Sequence, residues 1–186
     1  MKAILIGVLV VFVLLVGWGI SANNHLVTLN ESINGAWAQV ETVLQRRYDL
    51  IPNLVATVKG YAKHESGVLE EVTRLRSQWG EAKSPDAKIE AANQLEGALA
   101  RLMVVVERYP DLKANQNFLA LQDELAGTEN RIAVERRRYN DVVQAYNIGI
   151  AKFPASIIAG MKGFQRRDVY FKSEEAAKTV PKVDFN

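Results

Sequence analysis

The feature that most constrains this chain is an uninterrupted apolar run close to its N-terminus, from Ala3 to Ile20. The run contains no charged, amide or hydroxyl side chain over its 18 residues. As a helix it would be roughly 27 Å long, close to the thickness of the hydrocarbon core of a bilayer. Trp18 lies near one end, where an indole ring suits the headgroup region. The run predicts a transmembrane helix, and residues 1–22 are interpreted as an N-terminal anchor.

A cleaved signal peptide and a core helix are the competing interpretations of this run. A signal peptide has an apolar region of about 7–15 residues followed by small residues at the cleavage site. The run is longer than that, and Ile20 spoils the best-placed site, after Ala22, although Gly19 to Ser21 remains a candidate. A core helix would show polar residues on a solvent face, and this run has none. The uncleaved anchor is therefore the preferred interpretation.

Basic residues near the two ends of the anchor indicate its orientation. Lys2 and the amino terminus lie on one side, whereas no Lys or Arg follows on the other side before Arg46. Because basic residues favour the cytoplasmic side, we expect a single-pass protein with its N-terminus inside and its remaining domain on the translocated side.

Residues 23–153 repeat apolar residues at spacings of three and four, which is typical of packed helices rather than of strands. Four segments show the pattern, and the last has a seam residue at every seventh position. That seam consists of Phe118, Leu125, Ile132, Tyr139, Tyr146 and Phe153. In the first two segments one polar residue interrupts each seam, Arg47 and Glu65 respectively. These two residues are the predicted polar core positions.

Turn signals divide the four segments. Asp49 is predicted to cap a helix that carries Pro52 in its first turn. Residues 80–85 (GEAKSP) predict a turn, and Pro110 and Pro154 mark the next two breaks. Short connections make neighbouring helices antiparallel. The predicted fold is all-α: an antiparallel up-and-down four-helix bundle with long helices, preceded by the transmembrane helix. Residues 154–186 then form a C-terminal amphipathic segment and tail that returns to the bilayer.

Three long stretches of the chain resemble the LemA family. They are LQRRYDLIPNLVATVKGYAKHE (44–65), RLMVVVERYPDLKANQNFLALQDELAGTENRIAVERRRYN (101–140) and PKVDF (181–185). The resemblance implies a bacterial protein of the cell (inner) membrane, with one N-terminal membrane segment and a four-helix soluble domain. It assigns no biochemical activity. The family's genes often lie near those of membrane metalloproteases, which implies an accessory role as one alternative.

The sequence contains no recognisable catalytic or cofactor motif. The chain has no Cys, and neither of its two His, His25 and His64, follows a Glu by three residues as a carboxylate-bridged di-iron site requires. Hydrolase elbows, Walker loops and Rossmann glycine motifs are absent from the sequence. A net charge of +2 gives no basic surplus for nucleic acid. We therefore expect no enzyme activity, no cofactor, no metal and no nucleic-acid partner.

Recurring Arg–Tyr pairs define a candidate partner surface, because both residue types are enriched at interface hot spots. The predicted topology places two of the pairs at the same end of the bundle, away from the membrane. Loop packing, with the two aspartates as helix caps, is the alternative interpretation. The candidate surface consists of Arg46, Arg47, Tyr48, Asp49, Arg108, Tyr109 and Asp111.

The C-terminal segment combines basic and bulky apolar residues, which suits an anionic membrane surface. Packing over the end of the bundle or against a neighbouring subunit is the alternative. The candidate membrane or subunit contact consists of Ile157, Ile158, Met161, Lys162, Phe164, Arg166, Arg167 and Phe171.

The sequence favours a non-enzymatic, membrane-anchored scaffold or adaptor that acts through protein–protein contacts and forms homo-oligomers. Its expected partners are the lipid bilayer, copies of itself and another membrane protein. Two alternatives are accessory control of a membrane protease and a ligand-sensing bundle in which Arg47 and Glu65 line a site. A register lock between helices is the preferred role of these two polar residues.

Overall fold

The structure is a computed structural model, and it describes residues 1–62 and 64–171. This part of the chain is all-α, as predicted, and contains no strand. The PKVDF stretch lies outside the described residues. The helices are α1 (Lys2–Tyr61), α2 (Ser66–Glu81), α3 (Pro85–Val106), α4 (Pro110–Lys113), α5 (Gln116–Ala151) and α6 (Ala155–Lys162).

Helix α1 runs without a break from the apolar run into the folded domain. It contains 60 residues and is therefore roughly 90 Å long. The apolar run within it is long enough to cross a membrane, and none of it is buried. This exposure distinguishes it from the core helix of a globular domain, which would be covered by neighbouring helices.

The predicted helix break around Asp49 and Pro52 is wrong, because Pro52 lies inside α1. A proline ring has no N–H to donate to the carbonyl four residues earlier, which here is that of Tyr48. The Nε of Arg76, on α2, donates to this carbonyl at 3.1 Å instead. A tertiary contact thus supplies the hydrogen bond that proline removes. Asp49 caps no helix, and its carboxylate accepts a hydrogen bond from Gln45.

The continuous helix changes which residues of α1 face the core. Its buried stripe follows the 3.6-residue period through Val40, Leu44, Tyr48 and Ile51. The strict three–four seam of the sequence analysis would instead have placed Arg47 inward. Arg47 lies beside the stripe, and its side chain remains 12% exposed.

Helices α1 and α5 form a long antiparallel pair, which is the most extensive contact between two elements of the domain. Helices α2 and α3 form a second antiparallel pair, which lies only against the distal half of α1. Two contacts with α1 lie at the end of this second pair that is nearer the apolar run. Lys88 forms an ion pair with Glu41, and Trp79 stacks on Tyr48. We call the packed parts of α1, α2, α3 and α5 the bundle.

The connections follow the predicted turn signals more closely than the first helix does. Ser84 caps α3, with its Oγ accepting from the Ala87 N–H at 3.2 Å. Asn115 caps α5 in the same way through Phe118. Phe118 and four further residues of the predicted seam of α5 are buried. The sixth, Phe153, is a wrong prediction, because it follows the end of α5 and is 82% exposed.

Gly149 of α5 lies in close contact with side chains of α1. A Cβ atom added there would lie 2.6 Å from Cδ1 of Leu29 and 3.7 Å from Cδ2 of Leu26. Gly149→Leu should therefore lower the free energy of unfolding by about 1–3 kcal/mol through overpacking. Thermal unfolding of the full-length protein in detergent, followed by circular dichroism, measures the change.

The matched control for this prediction is Gly35→Leu on α1. A Cβ atom at Gly35 meets no heavy atom within 4 Å, so this exchange should be neutral or raise the melting temperature through better helix propensity. An equal loss of stability in both variants would show that the α1–α5 contact at Gly149 is not the cause.

Candidate functional site

The end of the bundle next to the apolar run is built differently from the distal end. The α2–α3 pair does not reach this level, so α1 and α5 are covered there by α6 and by the following chain. Helix α6 packs on both α1 and α5. Its Ile158 lies close to Gly19, at 3.8 Å from a Cβ atom added there. The chain after Pro154 thus returns to the end of the predicted anchor, as the sequence analysis expected.

Residues 164–171, which we call the strap, run back from α6 along α5. Gly163 reverses the chain in the left-handed conformation, with a φ of 74° that favours glycine. The strap contains no helix or strand, so its backbone polar groups need partners from elsewhere. Tyr146 donates its hydroxyl to the Gln165 carbonyl at 2.9 Å, and Arg167 donates to the side chain of Asn30 at 3.3 Å.

Two asparagines of α5 hold the strap by its backbone. The Asn147 amide donates to the carbonyl of Arg167 at 2.7 Å and accepts from its N–H at 2.9 Å. The Asn140 amide makes the same pair of bonds with Phe171, at 2.9 and 3.0 Å. The two asparagines lie seven residues apart, which places them on one face of α5. Each side chain therefore satisfies both backbone groups of one strap residue, as a neighbouring strand would do.

An aromatic cluster fixes the far end of the strap. Phe171 is buried, with its ring stacked on Trp37 at 6.2 Å and edge-on to Tyr139 at 5.6 Å between ring centroids. The guanidinium of Arg136 lies 5.2 Å from the centre of the Phe171 ring. Burial raises the pKa of the Tyr139 hydroxyl. Phe171 belongs to the core, so its prediction as an outer contact is corrected.

The other residues of the candidate membrane or subunit contact separate into two groups. Phe164 and Arg167 belong to the strap. Phe164 packs against the core, and the backbone of Arg167 is hydrogen-bonded to Asn147. Ile158 is half-buried beside α1. The exposed members are Ile157, Met161 and Lys162 together with two residues of the strap, Arg166 and Arg167.

The Arg–Tyr pairs do not form one surface, and the prediction that they share an end of the bundle is wrong. Arg47 and Tyr48 lie in the middle of the bundle, roughly 20 Å along α1 from its distal end. Tyr48 stacks on Trp79 with ring centroids 4.1 Å apart, and burial raises the pKa of its hydroxyl above the usual range. Arg46 reaches across to Glu124, its Nε donating at 3.0 Å.

Arg108 and Tyr109 lie at the distal end, where the connection between α3 and α4 meets that between α1 and α2. Both donate to the carboxylate of Glu65, at 2.9 and 3.1 Å. Partial burial and this hydrogen bond raise the pKa of Tyr109. Glu65 is the N-cap residue of α2 rather than a seam position. Asp111 lies in the first turn of the short helix α4.

A groove of about 690 Å³ opens between α3 and α5. Small residues on both helices leave its floor open, and Leu99, Met103 and Leu125 make it mainly apolar. Arg47 and Glu129, which form an ion pair, lie at its edge together with Glu96. Glu96 accepts from Arg136 of α5 at 3.3 Å. The small residues are Gly97, Ala100 and Ala126.

The metal-ligating side chain types and the two predicted polar core residues are dispersed over the described part of the chain. Among residues 1–62 and 64–171, no group of three or more His, Cys, Asp or Glu side chains is placed to hold a metal ion. Arg47 and Glu65, the predicted polar core residues, have different partners and do not line a common cavity.

Sequence reasoning missed the groove and the two asparagines. Asn140 and Asn147 each follow a buried seam tyrosine and recur at the heptad spacing, which is a usable signal for a polar row beside a core seam. The groove has a weaker signal, the small residues facing each other from α3 and α5.

The asparagines should control how firmly the strap is held. Asn147→Ala removes both hydrogen bonds to the Arg167 backbone and a third to the Tyr170 hydroxyl. At about 1 kcal/mol for each, the loss should accelerate trypsin cleavage after Arg166 and Arg167 at least roughly 10- to 30-fold. Mass spectrometry of the fragments locates the cuts. Asn130→Ala, an exposed asparagine on the same helix, is the matched control. Equal cleavage rates in the two variants would contradict a backbone-holding role for Asn147.

Comparison with known proteins finds a matching family and several relatives. The sequence model described as "LemA family" matches residues 36–185. Magnetosome protein MamQ 2 of Paramagnetospirillum magneticum is 29% identical over 182 residues, covering 84% of this chain and 66% of the relative. MamQ of Magnetospirillum gryphiswaldense is 26% identical with the same coverage. Protein LemA of Metamycoplasma hominis is 24% identical over 166 residues, covering 89% of this chain and 74% of the relative.

The chain thus spans slightly less than two thirds of the length of the magnetosome proteins that it matches. The family match covers most of this chain, including the bundle, α6 and the strap. It confirms the resemblance seen in the sequence, and the chain belongs to the LemA family.

Proposed function

We propose that this protein is a non-enzymatic scaffold, anchored in a membrane by α1, whose bundle binds other protein chains and first of all copies of itself. The observation that carries the proposal is the open, mainly apolar groove between α3 and α5. The bundle that contains this groove is joined to the apolar run by a single unbroken helix, α1. Anchor and binding surface are therefore rigidly connected.

The proposed anchor crosses the membrane once, with Lys2 inside and the bundle on the translocated side. The distribution of basic residues supports this orientation. A reporter enzyme that matures only after translocation, fused after Asn186, should be active. If instead a reporter that is active only in the cytoplasm works at the same position, the orientation is the opposite of the proposed one, and the helical fold is unaffected.

The groove has the character of a site for an apolar helix face. Small side chains such as Gly97 and Ala100 let another helix approach closely. The apolar surface extends beyond the groove, because Val104 on α3 and Leu119 on α5 are exposed. Val104 follows Ala100 by four residues, and Leu119 precedes Gln122 of the groove by three, so each shares a helix face with groove residues.

A second copy of the chain is the occupant that this surface favours. The same side of the bundle has both the groove and projecting apolar side chains, Val104 and Leu119. In a two-fold interface the two copies use the same surface, so this surface must contain both the hollow and the groups that fill it. Anchoring also confines copies to two dimensions, so that a modest contact is populated through a high effective concentration. Arg47 and Glu129 at the edge of the groove add charges of both signs, which a two-fold partner matches.

The native mass of the full-length protein in lipid nanodiscs tests self-assembly. We expect a mass corresponding to two or more chains of 20.7 kDa. Ala100→Arg, which places a charge in the groove, should shift the protein to monomers, because an unpaired charge is costly to bury at an interface. The matched control is Ala56→Arg at an exposed alanine of α1 that does not line the groove.

Each outcome of this experiment has a distinct meaning. A wild-type monomer would overturn self-assembly, and a different membrane protein recovered with it in stoichiometric amount would support the adaptor alternative, including accessory control of a membrane protease. Oligomers that survive Ala100→Arg would place the interface elsewhere and overturn the role of the groove.

A further inference from the structure

In the described part of the chain, the two most exposed bulky apolar side chains after the apolar run both lie at the anchor end of the molecule. Phe153 is 82% exposed and Met161 is 78% exposed, and Ile157 between them is 52% exposed. Ile157 and Met161 are spaced by four and share one face of α6, and Phe153 lies in the turn just before this helix; we call these three exposed residues the stripe. Full solvation of such a stripe is unfavourable, since bulky apolar groups gain free energy on leaving water.

The position of α6 relative to α1 defines what can cover this stripe. Ile158, on the inner side of α6, lies against Gly19, the second-last residue of the apolar run. The strap that follows α6 reaches Asn30 through Arg167. Helix α6 therefore lies beside the segment of α1 where the apolar run gives way to polar residues. In a membrane-spanning chain this segment lies at the boundary between acyl chains and headgroups.

The charges around the stripe suit the same environment. Lys152 and Lys162 flank the stripe at its two ends, and Arg166 follows shortly after; all three side chains are exposed. Basic residues next to an apolar face are typical of helices that lie in the interface of a membrane with anionic lipids. Ala159 is buried on the inner side of α6, and the exposed Gly160 has no side chain to cover the stripe.

We propose that α6 is a second membrane contact, an interfacial helix whose Phe153, Ile157 and Met161 insert into the bilayer at the headgroup boundary. The bilayer is preferred to a second copy as the occupant because α6 packs on α1 beside the end of the exposed apolar run. The contact restricts rotation of the bundle about the axis of α1. This inference rests on the proposed insertion of the apolar run in a membrane.

Site-directed spin labelling tests the proposal directly, because the chain has no Cys and single-cysteine variants need no background substitutions. Phe153→Cys, Ile157→Cys and Met161→Cys replace exposed side chains, so the fold is retained. The labelled full-length protein is placed in nanodiscs of phosphatidylcholine and phosphatidylglycerol. Collision with oxygen, which concentrates in lipid, is compared with collision with a water-soluble nickel chelate.

Val134→Cys is the matched control, since Val134 is an exposed apolar residue of α5, 59% exposed, at the middle of the bundle. Leu9→Cys, within the apolar run, reports on the anchor itself. We expect oxygen collisions to exceed nickel collisions at positions 9, 153, 157 and 161, and the reverse at position 134. The ratio should be smaller at 153, 157 and 161 than at 9, as the headgroup boundary requires.

The outcomes separate this inference from the proposed anchoring. If Leu9 is in lipid but positions 153, 157 and 161 collide mainly with the nickel chelate, α6 is in water and the inference fails alone. If Leu9 also collides mainly with nickel, the anchoring fails as well. If the α6 labels are shielded from both reagents and broadened by spins on other chains, α6 is a contact between copies and the inference is overturned.

Discussion

The continuity of α1 is the constraint on which the other features of this structure depend. A helix that passes from an apolar run into a packed bundle without a hinge cannot place the two independently. The hydrogen bond from Arg76 to the Tyr48 carbonyl preserves this continuity at the one position, Pro52, where the chain itself would interrupt it. Since the α2–α3 pair carries Arg76, the second helix pair stabilises the long helix as well as covering it. The distal bundle, roughly 60 Å from the anchor at its far end, is thus held at a fixed distance from it.

The proximal half solves a different packing problem. With α2 and α3 absent at this level, the α1–α5 pair would expose the inner faces of Trp37 and Tyr139. An extended segment can cover them only if its backbone groups find partners, since neither helix has free N–H or C=O groups to offer in its interior. Asn140 and Asn147 supply these partners from side chains. The strap is therefore a structural replacement for a third helix.

Four features could be predicted from the sequence: the helical class, the apolar anchor helix, the connections around Ser84 and Pro110, and the return of the chain to the anchor. All of these depend on local signals, namely apolar period, caps and proline. The position of the first break could not be predicted from the same signals, because proline's effect at position 52 is cancelled by an arginine 24 residues later. The mistaken break then placed Arg47 at a turn and grouped it with Arg108. The strap escaped prediction for a related reason: an extended segment on helices has no period of its own.

The charge arrangement explains why recognition by this protein is expected to depend on apolar surface. In the described part of the chain, five arginines that bridge different elements have carboxylate partners: Arg46 with Glu124, Arg47 with Glu129, Arg101 with Glu71, Arg108 with Glu65 and Arg136 with Glu96. An ionic ligand would have to break such pairs, which offsets most of what it gains. The groove between α3 and α5 is mainly apolar, and the stripe at α6 is apolar and exposed. A scaffold that contacts one neighbour in the plane of the membrane and the membrane itself uses both surfaces, whereas a sensor of charged small molecules would use neither.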